Sequence, residues 1–423
     1  MLEKISSKNS IDDVISTLID YYNKAKFEEI IRQESELTYL YPDSISLLNI
    51  FGSANLALKQ NKKAIKNFKK AITLNPNSPE VFYNLGLSFH NDGNFKSALL
   101  NYRKAIKLKP NYAEAHCNLG MSFSELGDFE EALVSYQKAI EIDPKYAGAY
   151  YNLGNIYREK ENWSLAIDNY NRAIDIKPDY AEAHCNLGKV LYAFGDKNSA
   201  LRSIERANVL DPDSKYISLL LSVLKARKAR VNNEASKGNI TTSDCITKSP
   251  SKILLLNRLV EPELISYLYR TKLLDLDKER DPSFGSTRGS LYDLFETKHP
   301  IIKKLAVELK SILVKVFKSD IFIIDSFFSI FGAGGGTIRH THLTKEDRDS
   351  TFDLGKQKYS LVYYLSTGDQ ECLEPGFLKF YEPSEKILPK KGMITIFPAN
   401  RQHSSVYGGK EDRVIVGANF YKL

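Results

Sequence analysis

Three histidines in the last third of the sequence carry the residue type most suited to holding a metal. His340 and His342 stand one residue apart in TIRHTHLTKEDRD, and His403 follows later in the chain. Residues at i and i+2 of a strand point to the same face, so His340 and His342 can offer two imidazoles to one pocket. A late strand lying beside an early one brings His403 within reach. Imidazole suits borderline divalent metals such as iron and zinc. The third ligand of such a site is open at this level. His342 can itself complete a set of three imidazoles, or Glu346, Asp347 or Asp349 can fold back to supply a carboxylate. Ten residues after His403 stands Arg413, in the apolar run DRVIVGANF. A cation buried there needs an anionic partner, and none is obvious in its own strand.

These residues need strands to hold them, and the chain beyond residue 252 supplies the pattern. KILLLN reads as a strand, and EPELISYLYRTKLL and HPIIKKLAVELKSILVKVF read as helices. IFIIDSFFSIF, YSLVYYLS, GFLKFYEP, GMITIFPA and DRVIVGANFY are short runs rich in Val, Ile, Phe and Tyr, separated by turns. Such spacing predicts a β-sandwich or jelly roll packed against the helices. GAGGG (332–336) lacks a following Lys-Ser/Thr and does not fit G-x-G-x-x-G, so it is no phosphate loop. It is expected as a flexible turn or a bulge leading to His340.

The first half repeats itself. Gly52, Gly86, Gly120, Gly154 and Gly188 recur at one fixed interval, and YAEAHCNLG occurs at both 112–120 and 180–188. In the same register run Ala64, Ala98, Ala132, Ala166 and Ala200, then Phe68, Tyr102, Tyr136, Tyr170 and Ile204. Each unit closes with a proline, from Pro76 to Pro212. Small residues sit where two helices press together, an aromatic fills the gap, and proline stops the second helix. One such unit cannot bury its apolar face, so the units must stack. His116 and Cys117 are two repeats from His184 and Cys185, several helix diameters of ~10 Å. They cannot share a metal with ligand distances of about 2 Å, and are expected as groove or packing residues.

The pattern L-G-x2-[Y/F] … A-x3-[Y/F]-x2-A … P resembles the tetratricopeptide repeat (TPR). The resemblance implies five clean repeats over 45–214, a degenerate N-terminal copy over 11–44, and a C-terminal capping helix in SKYISLLLSVLKARKAR, giving a solenoid over 11–233. It also implies that Asn84, Asn118, Asn152 and Asn186, two residues before each glycine, face a groove. There a ladder of amides can grip the backbone of an extended protein or peptide partner. Residues 234–251, rich in Ser and Thr, read as a flexible linker. The β-rich domain is expected over 252–423.

The H-x-H pair, the strand ending YYLS, PGFLKFYEP, G-x-I-x-I-F-P, the distal histidine and the arginine ten residues later together resemble the double-stranded β-helix of Fe(II)/2-oxoglutarate oxygenases. In its H-x-H form this is similar to a bacterial repeat-linked group. The fold class implied is a two-domain chain: an all-α TPR solenoid followed by a β-rich jelly-roll domain with flanking helices. Carried over, His340, His342 and His403 hold Fe(II), with His342 standing where the family usually has an acid. Arg413 pairs with the distal carboxylate of 2-oxoglutarate. Tyr363 or Tyr364 can donate to that carboxylate, but neighbours on a strand alternate faces, so only one points inward. The implied activity is a dioxygenase that uses O2 to hydroxylate a C–H bond of a protein, a peptide or a small metabolite. The competing reading is an interaction scaffold with a non-catalytic, cupin-like module.

Composition agrees with an ordinary soluble protein: 43% hydrophobic, 26% charged, net charge +7. That charge reads as spread along the chain, so nucleic acid is not an expected partner, and LKARKAR (224–230) reads as a solvated helix face. Four scattered cysteines without a C-x-x-C make no disulfide framework. No apolar leader or membrane-length apolar run is seen, so the sequon at Asn239 carries no weight and a cytoplasmic location is expected.

Overall fold

The computed structural model describes residues 10–236, 253–275, 285–344, 347, 351–372 and 375–423. Two compact units divide at residue 210. The expected linker lies, from residue 237 onward, outside the described residues, as do Asn239, Glu346 and Asp349.

The first unit is a row of helix pairs. Ile45–Ala57 with Asn61–Leu74, Pro79–Asn91 with Phe95–Leu108, and Ala113–Leu126 with Phe129–Ile142 form three of them. Ala147–Glu159 with Trp163–Ile176 and Ala181–Phe194 with Lys197–Leu210 complete the series. The reason for the glycine period is visible in what a Cβ would meet. At Gly52, Gly86, Gly120 and Gly154 it would fall 2.6–2.7 Å from the ring of Phe68, Tyr102, Tyr136 or Tyr170. Each ring is almost wholly buried. At Gly188 the smaller Ile204 takes the ring's place. Every second helix from Asn61–Leu74 onward ends two residues before its proline, because the residue preceding proline is pushed out of helical geometry. Asn94, Asn162 and Asp196 cap the following helix by accepting from the backbone N–H three residues on. The N-terminal copy departs from the rest: Ile11–Asn23 is followed by two short helices, Phe27–Arg32 and Glu34–Leu40, in place of one.

The second unit begins with the helix Lys215–Ser236. Read from sequence as the solenoid's cap, this helix belongs by its contacts to the second unit. Lys215 pairs with Asp293 and Glu296, and Arg227 donates to the Phe352 carbonyl. Among the described residues nine strands follow: β1 (Leu254–Asn257), β2 (Gly285–Tyr292), β3 (Ile321–His340), β4 (Lys358–Thr367), β5 (Pro375–Tyr381), β6 (Ser384–Ile387), β7 (Met393–Pro398), β8 (His403–Tyr407) and β9 (Arg413–Lys422). All pairings are antiparallel, in the order β1-β7-β4-β9-β3-β8-β5-β6, with β2 also on β3. The helices Pro262–Asp275 and Pro300–Phe317 pack Leu264, Leu268, Leu305 and Leu309 against Leu361, Tyr363, Val414 and Val416 on one face. The other face of the same strands, through Val362, Tyr364, Phe397 and Ile415, shares a second core with Leu378, Phe380 and Tyr407 of β5 and β8. The sheet therefore folds over on itself, and its central strands are buried on both faces.

GAGGG lies inside β3, not in a turn, at the place where the strand changes partner. Up to Phe331 β3 pairs with β9, and from Gly335 with β8. A strand can bend so sharply where there is no Cβ to collide. The expected bulge lies within this stretch, as a register shift between Phe331 and Gly335 opposite β2, and a second shift follows between Thr337 and His340 opposite β8. Among the described residues no helix is long and apolar enough to cross a membrane.

Gly120→Val tests the ring-on-glycine packing. The added methyls displace the Tyr136 ring and should cost about 1–3 kcal/mol by overpacking, read as a lower Tm for the helical signal. Gly93, whose Cβ would meet open space at φ +76°, should tolerate Asn with little change.

Candidate metal and anion site, and the asparagine ladder

β3 and β8 bring the histidines together. The Cα of His340 is paired with that of His403 across the two strands; its side chain lies outside the described residues. Just past β3, the His342 N–H donates to the Ala399 carbonyl at 2.9 Å, and the Ala399 N–H to that of Lys358 at 3.0 Å. These bonds tie the segment after the H-x-H pair to the end of β7 and the start of β4. The outcome is a contact of 3.2 Å between His342 Nε2 and His403 Nε2, with the rings stacked at 29°. His403 is buried against Phe397 and Phe380.

His403 Nδ1 lies 3.1 Å from the Arg401 carbonyl. A carbonyl only accepts, so Nδ1 carries the proton and the neutral ring keeps its lone pair on Nε2. The two Nε2 atoms are near enough together that one small cation could be reached by both. Among the described residues, no group of three histidines, cysteines or carboxylates gathers at a point.

Asp347, one of three acids offered as an alternative ligand, is committed elsewhere. Its Oδ2 accepts from Lys358 Nζ at 2.8 Å and from the Thr344 N–H and hydroxyl, and its Oδ1 accepts from Tyr421. Both charged side chains are almost fully buried, at 0% and 2% exposure. Burial works to raise the Asp347 pKa, but the bonds from Lys358, Thr344 and Tyr421 prevail and hold it below its ordinary value. The sequence reading did not foresee this anchor; its signal was a lysine opening the otherwise apolar run KYSLVYYL.

Arg413 is 1% exposed. Nη1 donates to the Gly376 carbonyl at 2.6 Å, Nη2 to that of Pro375, and Nε and Nη2 to that of Thr367 at 3.3 Å. Its guanidinium lies 4.6 Å over the Tyr407 ring. Gly376 is required here, since a Cβ would fall 1.9 Å from Nη1 and φ is +76°. All its hydrogen-bond partners are neutral carbonyls, and no carboxylate pairs with Arg413 among the described residues. Burial pushes its pKa down.

The two tyrosines separate. Tyr363 faces the helix-covered core, where its hydroxyl donates to the Leu259 carbonyl at 2.8 Å and accepts from Arg258 at 2.9 Å. It is therefore not available to the histidine side. Tyr364 faces the inner core with Tyr407. Burial raises its pKa, against the pull of the Arg413 charge, and its hydroxyl makes no hydrogen bond among the described residues.

In the first unit, Asn84, Asn118, Asn152 and Asn186 are each half-buried. Each donates to the corresponding side chain of the preceding repeat: Asn49, Tyr83, Cys117 and Tyr151 respectively. One amide hydrogen each of Asn84, Asn118 and Asn152 is thus used to tie neighbouring repeats, and Asn186 donates a second bond, to Asn155. The four side-chain carbonyls accept nothing among the described residues. His116 and His184 contact the carbonyls of Pro110 and Pro178, both at 3.1 Å, as packing residues.

Four stretches of the chain, 52–93, 88–127, 122–157 and 154–195, match the TPR repeat family. No curated protein matches the chain. Among solved structures, the chain is similar to MamA at 26% identity, over 38% of this chain and 95% of that one, with a TM-score of 0.35. It is similar to a thermophilic TPR protein of Thermus thermophilus at 21% identity, over 43% and 98%, with a TM-score of 0.38. YrrB, a TPR protein with an unusual peptide-binding site, matches at 17% identity over 45% and 97%, with a TM-score of 0.36.

Asp347→Asn should destabilise the second unit by about 3–5 kcal/mol, because it leaves Lys358 buried and unpaired. The folded pKa of Asp347 is depressed, so its contribution is present above the unfolded value near pH 4 and is lost as pH falls. Urea midpoints of the parent chain should decline below about pH 4, and that part of the decline should vanish in the variant.

Proposed function

Starting from a chain whose residues 52–195 are TPR repeats, we propose that the second unit is an Fe(II)- and 2-oxoglutarate-dependent oxygenase of the jelly-roll, double-stranded β-helix type. Its repeats bind the protein or peptide that is its substrate. The observation that carries this reading is the pairing of two features: Nε2 atoms 3.2 Å apart with the His403 lone pair aimed at the contact, and a buried arginine that no carboxylate pairs among the described residues. His342 and His403 would hold the metal, and His340, whose Cα is paired with that of His403, would be the third ligand. When bound, Fe(II) with 2-oxoglutarate and O2 supplies hydroxylation of a C–H bond, the keto acid leaving as succinate and CO2. The chain's own residues bind and orient. Arg413 neutralises the distal carboxylate, Tyr364 donates to it, Phe380 and Phe397 keep water from the histidines, and the Lys358–Asp347 pair holds the segment that carries His342.

One observation favours the scaffold reading. Two neutral imidazoles as close as His342 and His403 can share a single N–H···N hydrogen bond with no metal between them. In that case the second unit is a non-catalytic, cupin-like module, and function rests on the repeats.

Anaerobic addition of Fe(II) and then 2-oxoglutarate to the purified chain separates the two. Oxygenase predicts a weak visible charge-transfer band that is lost in His342→Ala and in His403→Ala. No band and no retained Fe(II) would make the scaffold reading the correct one. Arg413→Met should raise the 2-oxoglutarate concentration for half-maximal band by about 10- to 100-fold, the worth of hydrogen bonds to a charge, while Fe(II) retention persists.

The asparagine carbonyls left open predict the partner's chemistry: an extended backbone with N–H groups to give. Asn118→Ala with Asn152→Ala should weaken binding of a peptide ligand by about tenfold or more and leave 2-oxoglutarate half-saturation unchanged. Equal binding by the double variant would remove the ladder from the recognition surface.

A further inference from the structure

The net charge is not spread along the chain as its total suggested. Between residues 58 and 110 stand eleven Lys and Arg against two acids, and the remainder carries a slight acidic excess. The concentration falls on the second helices of consecutive repeats. Asn61–Leu74 has five lysines and no acid, and Phe95–Leu108 has Lys96, Arg103, Lys104 and Lys107 and no acid. The next two reverse sign: Phe129–Ile142 has Glu130, Glu131 and Glu141 against Lys138, and Trp163–Ile176 has Asp168 and Asp175 against Arg172.

These four helices begin and end in step with the repeat, so equivalent positions form rows across them. One row reads Lys66, Leu100, Val134, Asp168. Leu100 and Val134 are 67% and 66% exposed, unusual for aliphatic residues in well-formed helices, and they are neighbours in this row. Basic, apolar, apolar, acidic is a sequence that complements its own reverse. The row one turn earlier behaves likewise at its centre, with Lys96 beside Glu130, and the row two turns later pairs Lys107 with Glu141.

We propose that this face joins the same face of a second copy about a two-fold axis that runs along the helices, between Phe95–Leu108 and Phe129–Ile142. Such an axis sets each helix of one copy opposite a helix of opposite sign in the other, as an isologous contact requires. Leu100 meets the partner copy's equivalent of Val134, and Val134 meets Leu100. Lys66 meets Asp168, Lys96 meets Glu130, and Lys107 meets Glu141, each contact made twice. The unfavourable row lies one turn later, where Lys104 meets Lys138 and Lys70 meets Arg172; of these, Lys138 already has Glu141 2.7 Å from its ammonium. Glu130 keeps its own contact with Lys160 but remains 77% exposed, free to serve a second cation. A nucleic acid or an anionic membrane would meet the acidic helices beside the basic ones, whereas a second copy uses both.

Sedimentation of the full chain over a range of concentrations is the test. The parent should show a reversible monomer–dimer equilibrium that weakens with salt but is not abolished, since the apolar contact is not screened. Lys96→Glu and Glu130→Lys should each weaken it about tenfold, because symmetry turns two attractions into two repulsions. The double variant Lys96→Glu/Glu130→Lys restores both contacts and should restore the dimer. Leu100→Asp should leave only monomer. All these positions are exposed, so unchanged Tm accompanies each. A parent that is monomeric throughout, a dimer indifferent to the single reversals, or a double variant no better than the singles would overturn the proposal.

Discussion

The second unit depends on one strand serving two sets of partners. β3 is 20 residues long and pairs with β9 in its first half and β8 in its second. Without that change of partner the sheet would have no return, β5 and β8 could not share a core with β4 and β7, and His340 would not stand opposite His403. The glycines at 332–336 are the means. They remove the side chains that would resist the bend, at an entropic cost that the two buried cores offset.

A second constraint acts on charge. The unit buries Lys358 and Asp347 together and Arg413 alone. The first pair is closed, every oxygen of Asp347 engaged, and its effect is positional: it ties the segment behind His342 to β4 and β9. Arg413 is satisfied in hydrogen bonds but not in charge, because carbonyl dipoles do not replace an anion. The difference is between a closed ion pair and a cation held, among the described residues, by carbonyl dipoles alone.

Much of this was legible in the sequence, for definable reasons. The repeats were, because a Gly beneath a ring and a Pro two residues past each helix are requirements of local geometry that recur with each unit. The strands containing dense Val, Ile, Phe and Tyr were also legible. β2, β6 and β8 were not: GSTRGSLY, SEKI and HSSVY are polar and short, and only pairing makes them strands. GAGGG looked like a turn because glycine marks a bend without saying whether pairing continues through it. The helix Lys215–Ser236 looked like a cap because apolar periodicity says that a face is covered, not by what. Strand alternation says that only one of Tyr363 and Tyr364 faces the inner core, but that it is Tyr364 needed the positions of Arg258 and Leu259. The Lys358–Asp347 anchor joins residues whose closeness depends on the fold of an intervening loop.

The solenoid carries a longer period than its helices do. Tyr83 stacks on Tyr112 at 5.0 Å and Tyr151 on Tyr180 at 4.9 Å, whereas the intervening repeats have Cys117 and Cys185 at the equivalent position. Asparagine donors accordingly alternate between a phenol and a thiol. The donor side of each of these seams is nevertheless the same, an asparagine with a tyrosine: Asn118 with Tyr112, Asn152 with Tyr146, Asn186 with Tyr180. Repeats that differ at the acceptor position are therefore interchangeable at this contact, and a seam made by removing one of them would still join groups that already meet elsewhere in the array.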